Sequence, residues 1–135
     1  MLALGARLAA SLRPGMVVFL EGPLGAGKTT LVRGMLRALS HEGLVRSPTY
    51  ALVESYPNAR LLTHHFDLYR MGHGEELEDI GARDYFSSDA VCLIEWPERA
   101  AELLPAPDWT IELEYDNGGR RVRVVDTANR MKGDP

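Results

Sequence analysis

Eight consecutive residues, Gly22-Pro23-Leu24-Gly25-Ala26-Gly27-Lys28-Thr29, carry the clearest chemistry in this chain. They fit the pattern G-x-x-x-x-G-K-[ST]. Glycines at these places let successive backbone N–H groups point into one concavity without Cβ clashes. A helix starting where the loop ends adds partial positive charge. A lysine after the last glycine reaches the β- and γ-phosphates of a nucleotide, and the next hydroxyl ligates Mg²⁺. Gly22, Gly25, Ala26, Gly27, Lys28, Thr29 and Thr30 are therefore candidate phosphate-binding residues, with Thr29 also a candidate metal ligand. With 13 Gly, 2 Lys and 12 Ser plus Thr in 135 residues, about 0.002 matches are expected by chance.

Such a loop needs a second carboxylate to hold hydrated Mg²⁺, normally at the end of a neighbouring buried strand. Two residues qualify. Glu95 ends the apolar run Val91-Cys92-Leu93-Ile94, and Asp67 ends the more polar run Leu61 to Phe66. A strand-end acid can also simply cap a turn or helix, and Glu95 precedes Trp96-Pro97, where an acid suits a helix dipole. One of the pair can serve Mg²⁺ while the other orients the attacking water. His64 and His65 are adjacent, so on a strand they face opposite sides, which argues against a two-histidine metal site. His65 is a candidate supporter of the site. Trp96 suits either stacking on a base or filling core. Tyr69-Arg70 suits a phosphate or partner contact, or a solvated surface. Ser47 and Thr49 occupy the place of a nucleotide-sensing loop, although turn chemistry around Pro48 also explains them.

Pattern places these residues on elements. Leu4, Leu8, Ala9 and Leu12 recur at helical spacing, and Arg13-Pro14-Gly15 ends that helix. Met16 to Leu20 is continuously apolar, as in a parallel strand buried on both faces. A helix follows from Thr29, with Leu31, Val32, Met35, Leu36 and Leu39 on one face. Tyr50 to Tyr56 and Arg60 to Asp67 predict a hairpin turning at Pro57-Asn58. Glu75 to Ile80 predicts a short helix, Ala90 to Ile94 a buried strand, and Pro97 to Leu104 a helix with proline at its start. Trp109 to Tyr115 alternates, and after the turn Asn117-Gly118-Gly119 the chain returns over Arg120 to Val125 as an antiparallel hairpin with one wet face. The expectation is an α/β, single-domain P-loop NTPase fold, a mixed central sheet flanked by helices, over residues 1–126. Residues 127–135 form a loose tail in this reading.

Composition sets the class. At 135 residues with 45% apolar content the chain can bury a core without disulfides. A formal charge of -4 gives no footprint of a dedicated nucleic-acid binder, although Arg120, Arg121 and Arg123 form a local basic patch. Of the 15 basic residues only Lys28 and Lys132 are lysine. A chain that otherwise uses arginine can keep Lys28 where a compact ammonium fits and a guanidinium does not, although chance alone can place two lysines anywhere. No apolar run reaches the roughly 20 residues of a membrane span. Cys92, the single cysteine, sits among Val91, Leu93 and Ile94 and reads as a buried thiol in a reducing compartment. A cytoplasmic location is expected.

Several segments stand together in one order. They are Gly22-Pro-Leu-Gly-Ala-Gly-Lys-Thr-Thr30, Ser47-Pro-Thr-Tyr50, His65-Phe-Asp-Leu-Tyr-Arg70, Glu75-Glu-Leu77 with Gly81, and Ile94-Glu-Trp-Pro-Glu98. From about Leu4 to Val125 the chain resembles the bacterial TsaE family, the small ATPase of tRNA threonylcarbamoyladenosine biosynthesis. The phosphate loop is shared with countless NTPases; the other segments are more specific. The resemblance implies ATP hydrolysis to ADP with Mg²⁺, in support of threonylcarbamoyl modification of adenosine 37 of tRNA. It implies docking on the transferase subunit TsaD and its paralogue TsaB, with tRNA engaged only indirectly and no membrane. It assigns Lys28 and Thr29 to phosphate and Mg²⁺, Glu95 to the metal site, Asp67 to the other functional acid, Ser47 to Thr49 to a switch-like loop, and Trp96 to the neighbourhood of the nucleotide. Family members usually carry a few more residues before the first helix, including a threonine near the adenine. Here Leu2 to Gly5 are expected to form part of that wall.

Two other classes use the same loop. A small-molecule kinase needs an acceptor pocket and an arginine-bearing lid, for which 135 residues leave little room. A non-hydrolysing, nucleotide-gated binding module needs neither. No arginine is obviously placed as a finger within the chain, so slow turnover without a partner is expected.

Overall fold

The apolar run ahead of the glycine loop becomes Val17–Glu21 (β1), a strand with a neighbour on each side. A computed structural model of the chain describes residues 1–39, 52–57 and 60–127. Among these, the strands Val53–Tyr56 (β2), Leu62–Asp67 (β3), Ala90–Glu95 (β4), Trp109–Asp116 (β5) and Gly119–Asp126 (β6) join β1 in a six-stranded sheet ordered β2-β3-β4-β1-β5-β6. The four middle strands run parallel, and an antiparallel partner closes each edge. Sequence accounts for this division. The continuously apolar runs, β1 and β4, lie at the centre, where both faces are covered, and all six residues of β4 are buried. The alternating run β5 buries Trp109, Ile111 and Leu113, and β6 beyond it is largely exposed.

Two apolar layers flank the sheet. On one face Val18, Leu20, Val91, Leu93 and Ile111 pack beneath the helices Leu2–Ala9 (α1) and Lys28–Ala38 (α2). Each fully buried Leu or Met of α2 contributes about 1.5–3 kcal/mol, more than any propensity difference along that helix. The helices cross backbone to backbone: a Cβ on Gly34 would sit 2.5 Å from the Leu2 carbonyl oxygen, and one on Gly5 2.5 Å from that of Leu31. On the other face Val17, Phe66, Cys92 and Ile94 pack with Leu68, Met71, Ala82 and Leu77, the last on the short helix Glu75–Asp79 (α3).

The mixed sheet with flanking helices matches expectation, and some boundaries move. The helix predicted over Pro97 to Leu104 is two separate 3₁₀ turns, Pro97–Arg99 and Ala101–Leu103. Ala100 between them has φ −145°, which breaks the spiral, and Leu104 ahead of Pro105 is extended. Past Ala9 the first helix tightens into i→i−3 bonds up to Leu12. The strand predicted from Arg60 starts at Leu62, and Ala82–Tyr85 forms a 3₁₀ turn that no periodicity announced. Thr127, expected to begin a loose tail, donates its N–H to the Asp108 carbonyl at 2.9 Å. Tyr50, Asn58, the Ser47 to Thr49 loop and residues 128–135 lie outside the described residues. No helix among the described residues is long and apolar enough to cross a membrane.

Candidate functional site

The glycine loop carries the chain from the end of β1 into α2, and its glycines are required by geometry. A Cβ on Gly22 would lie 2.4 Å from the Leu113 carbonyl oxygen of β5, while Gly25 and Gly27 have φ of 80° and 105°. The opening N–H groups of α2 have no carbonyl partner within the helix. Lys28, the first residue of α2, is only 4% exposed. Its ammonium donates to the Gly22 carbonyl and stands 3.5 Å from the centre of the Trp96 ring. Burial lowers its proton affinity, opposed by the charges of Glu95, Glu98 and Asp67.

The two candidate acids meet at the same place. Parallel β3 and β4 pair Asp67 with Glu95 and His65 with Leu93. With a strand period of two, His65, Asp67, Leu93 and Glu95 share one face. Leu93 packs with the α1–α2 layer, so that face is the one α2 covers, and Thr29 in the first turn of α2 reaches it. The Thr29 hydroxyl lies 3.1 Å from each Glu95 carboxylate oxygen. His65 Nε2 lies 2.6 Å from Glu95 Oε2, with His65 0% and Glu95 2% exposed. Asp67 Oδ1 accepts from the Tyr69 N–H at 3.1 Å. Burial raises the affinity of Asp67 for a proton, and the negative charge of Glu95 raises it further.

Trp96 follows Glu95 in the left-handed region, φ 58°, a conformation a bulky residue adopts only when its surroundings impose it. Its ring contacts both the Lys28 ammonium and the Tyr69 ring, whose centroid is 4.9 Å away. The terminal hairpin closes the other side. The Tyr115 hydroxyl donates to the Leu24 carbonyl and Arg120 Nη2 to the Gly25 carbonyl, both at 3.4 Å.

These groups surround a cavity of about 540 Å³. Of the residues singled out in the sequence, Gly25, Gly27, Lys28, Thr29, Thr30, Asp67, Glu95 and Trp96 line it. Gly22 stands behind the loop, holding Lys28 by its carbonyl, and Ala26 is fully buried. Met1 lines the cavity, whereas Leu2 to Gly5, expected to form a wall there, are not among its lining residues, and Gly5 is buried against α2. His64 points away from His65, as expected, and its Nδ1 lies 2.8 Å from Ser55 Oγ. Tyr69 and Arg70, which suited a phosphate or partner contact or a solvated surface, line the cavity as well, and so does Arg120. Arg120 lies 92 positions beyond Lys28, and only the β5–β6 pairing, which sets Arg120 opposite Tyr115, brings it back to the loop. The combination of a turn and a following arginine was visible; its destination was not.

The donor chemistry suits a hard cation. No cluster of three or more His, Cys, Asp or Glu among the described residues could hold a metal by itself. A hydroxyl and carboxylate pair beside an anion cradle is the set that Mg²⁺ uses when phosphate and water complete its shell.

The family model described as threonylcarbamoyl adenosine biosynthesis protein TsaE matches residues 1–123 of this chain. The tRNA threonylcarbamoyladenosine biosynthesis protein TsaE of Haemophilus influenzae is 48% identical over 117 residues, which span 87% of this chain and 74% of that protein. The protein of the same name from Bacillus subtilis is 42% identical over 125 residues, 92% of this chain and 78% of its own. Among solved structures, the crystal structure of Bacillus subtilis YdiB superposes with a TM-score of 0.80 at 31% identity, covering 98% of this chain and 82% of that one.

Proposed function

The chain belongs to the TsaE family, and from that membership we propose that it is a Mg²⁺-dependent P-loop ATPase required for formation of N6-threonylcarbamoyladenosine in tRNA. The triphosphate lies on the backbone N–H groups of the glycine loop and the first turn of α2, with Lys28 on the β- and γ-phosphates. Thr29 and Glu95 would hold Mg²⁺, directly or through water. Bound there, it would supply neutralisation of charge on the phosphate oxygens. Asp67 orients the attacking water, and its raised proton affinity suits a group that takes a proton from it. The products are ADP and phosphate. Turnover is slow alone and faster on the partner assembly of TsaD and TsaB in the cytoplasm, with tRNA engaged only through that assembly.

One observation carries this reading: the Thr29 hydroxyl at 3.1 Å from both oxygens of a buried carboxylate, at the mouth of a glycine loop that also holds a buried lysine. That is a metal-ready pair beside a phosphate cradle. The experiment is a Mg²⁺-dependent phosphate-release assay with ATP, with and without the partner assembly, alongside Lys28→Ala. Phosphate release that depends on Mg²⁺ and Lys28 supports the reading. Phosphorylation of an added nucleoside or sugar would make the chain a kinase, and binding without turnover in either condition a nucleotide-gated module.

A further inference from the structure

We infer that His65 is a positioning residue, which acts by holding the Glu95 carboxylate in the orientation that receives Mg²⁺; this deepens, and rests on, the nucleotide reading above. The imidazole is wholly buried and among the described residues makes one polar contact, Nε2 to Glu95 Oε2 at 2.6 Å. Its Nδ1 has no partner among the described residues. A histidine kept only for packing is poorly suited to this place. Phe66, beside it in β3, fills its own buried position with no polar atom to satisfy, whereas a half-satisfied imidazole carries a desolvation cost. The ring is explained by its one bond.

That bond has a directional consequence. A carboxylate only accepts, so Nε2 carries the hydrogen of the pair. With Oε2 engaged by His65, the plane of the carboxylate is fixed from behind. Oε1 is left as the oxygen that no histidine occupies, and Thr29 Oγ1 lies 3.1 Å from both oxygens of the plane so fixed. The strand register makes the arrangement rigid: His65 sits two residues before Asp67 on β3, and Asp67 pairs directly with Glu95 on β4. Supporting partners of this kind typically change metal affinity by about 10- to 100-fold when removed.

The test compares His65→Gln, which retains an N–H donor, with His65→Leu, which fills space without one. Each is titrated with MgCl₂ at fixed N-methylanthraniloyl-ADP, and the fluorophore is also titrated without metal. The expected result is a requirement for roughly 10- to 100-fold more Mg²⁺ in His65→Leu, substantial rescue in His65→Gln, and metal-free nucleotide affinity unchanged in both. A wild-type Mg²⁺ requirement in folded His65→Leu overturns the inference, as does an equal loss in both variants. If His65→Leu does not fold, ¹⁵N NMR of the wild-type imidazole decides: a hydrogen on Nε2 shared with Glu95 supports the inference, and a bare Nε2 overturns it. Failure of the wild-type protein to bind nucleotide in any condition counts instead against the nucleotide reading, and the imidazole spectrum then still decides the His65–Glu95 link.

Discussion

The Lys28 ammonium faces the Trp96 ring at 3.5 Å from its centre and donates to the Gly22 carbonyl, so its two partners lie inside its own site. A cation over an indole face is worth about 0.5–2 kcal/mol, less than charge-assisted bonds to phosphate oxygens. An arriving triphosphate is therefore expected to draw the ammonium off the ring. Adding ADP or ATP is expected to change the emission of Trp96, and Trp96→Phe to abolish the change even though buried Trp109 remains. Lys28→Ala is expected to weaken nucleotide binding roughly 10- to 100-fold in the same fluorescence or calorimetric titration.

Asp67 and Glu95 are paired in register as two like charges. In the folded chain Asp67 holds its proton to higher pH than in the unfolded chain, from burial first and Glu95 second. As pH rises through the ordinary carboxylate range the unfolded state therefore loses that proton first, and stability falls. At neutral pH, Asp67→Asn is expected to raise the melting temperature by about a degree or two while cutting ATP turnover at least roughly tenfold. The stability gain should fade below about pH 4, where the aspartate is protonated in both states.

Arg120 rests on the loop through one exposed bond to the Gly25 carbonyl, a contact easily exchanged for a phosphate oxygen. Thr29 and the two acids line the same cavity, and Met1 and Arg120 adjoin Gly27. Arg120→Ala is expected to weaken ADP and ATP alike, by roughly fivefold at low salt and less as salt rises. Isothermal calorimetry at two ionic strengths checks this, and a loss confined to ATP would move Arg120 to the terminal phosphate.

Gly34→Ala tests the helix crossing. Alanine gains about 1 kcal/mol in a helix interior, but its methyl would lie 2.5 Å from the Leu2 carbonyl oxygen. The clash wins: a net loss of roughly 1–3 kcal/mol, about 3–10 °C in melting temperature, is expected by thermal denaturation. Gly72→Ala, whose methyl would meet only the Glu76 carboxylate at 3.6 Å, should leave the melting temperature nearly unchanged.

Local pattern was enough for much of this architecture. The apolar runs at β1 and β4 announced central parallel strands, and the alternation of Trp109 to Leu113 announced the one-faced hairpin. The loop from Gly22 to Thr29 was legible because spacing and residue type jointly define it. Glu95 and Asp67 were legible as strand ends but not as neighbours, since only the β3–β4 register brings them together. Arg120, Tyr115 and Met1 were invisible as site residues for the same reason: their contacts come from pairing and packing over long separations. The helix expected after Pro97 failed because Trp96 and Ala100 hold conformations that no propensity encodes.

The order of the strands also bears on how the protein is made. β1, on which the glycine loop is mounted, pairs with nothing close in sequence; Val17 meets Cys92, and Val18 meets Trp109. A nascent chain emerging from the ribosome therefore holds its most characteristic segment without a foundation until β4 and β5 have been synthesised. Such long-range pairing slows folding. The cradle is translated well before the strands that support it.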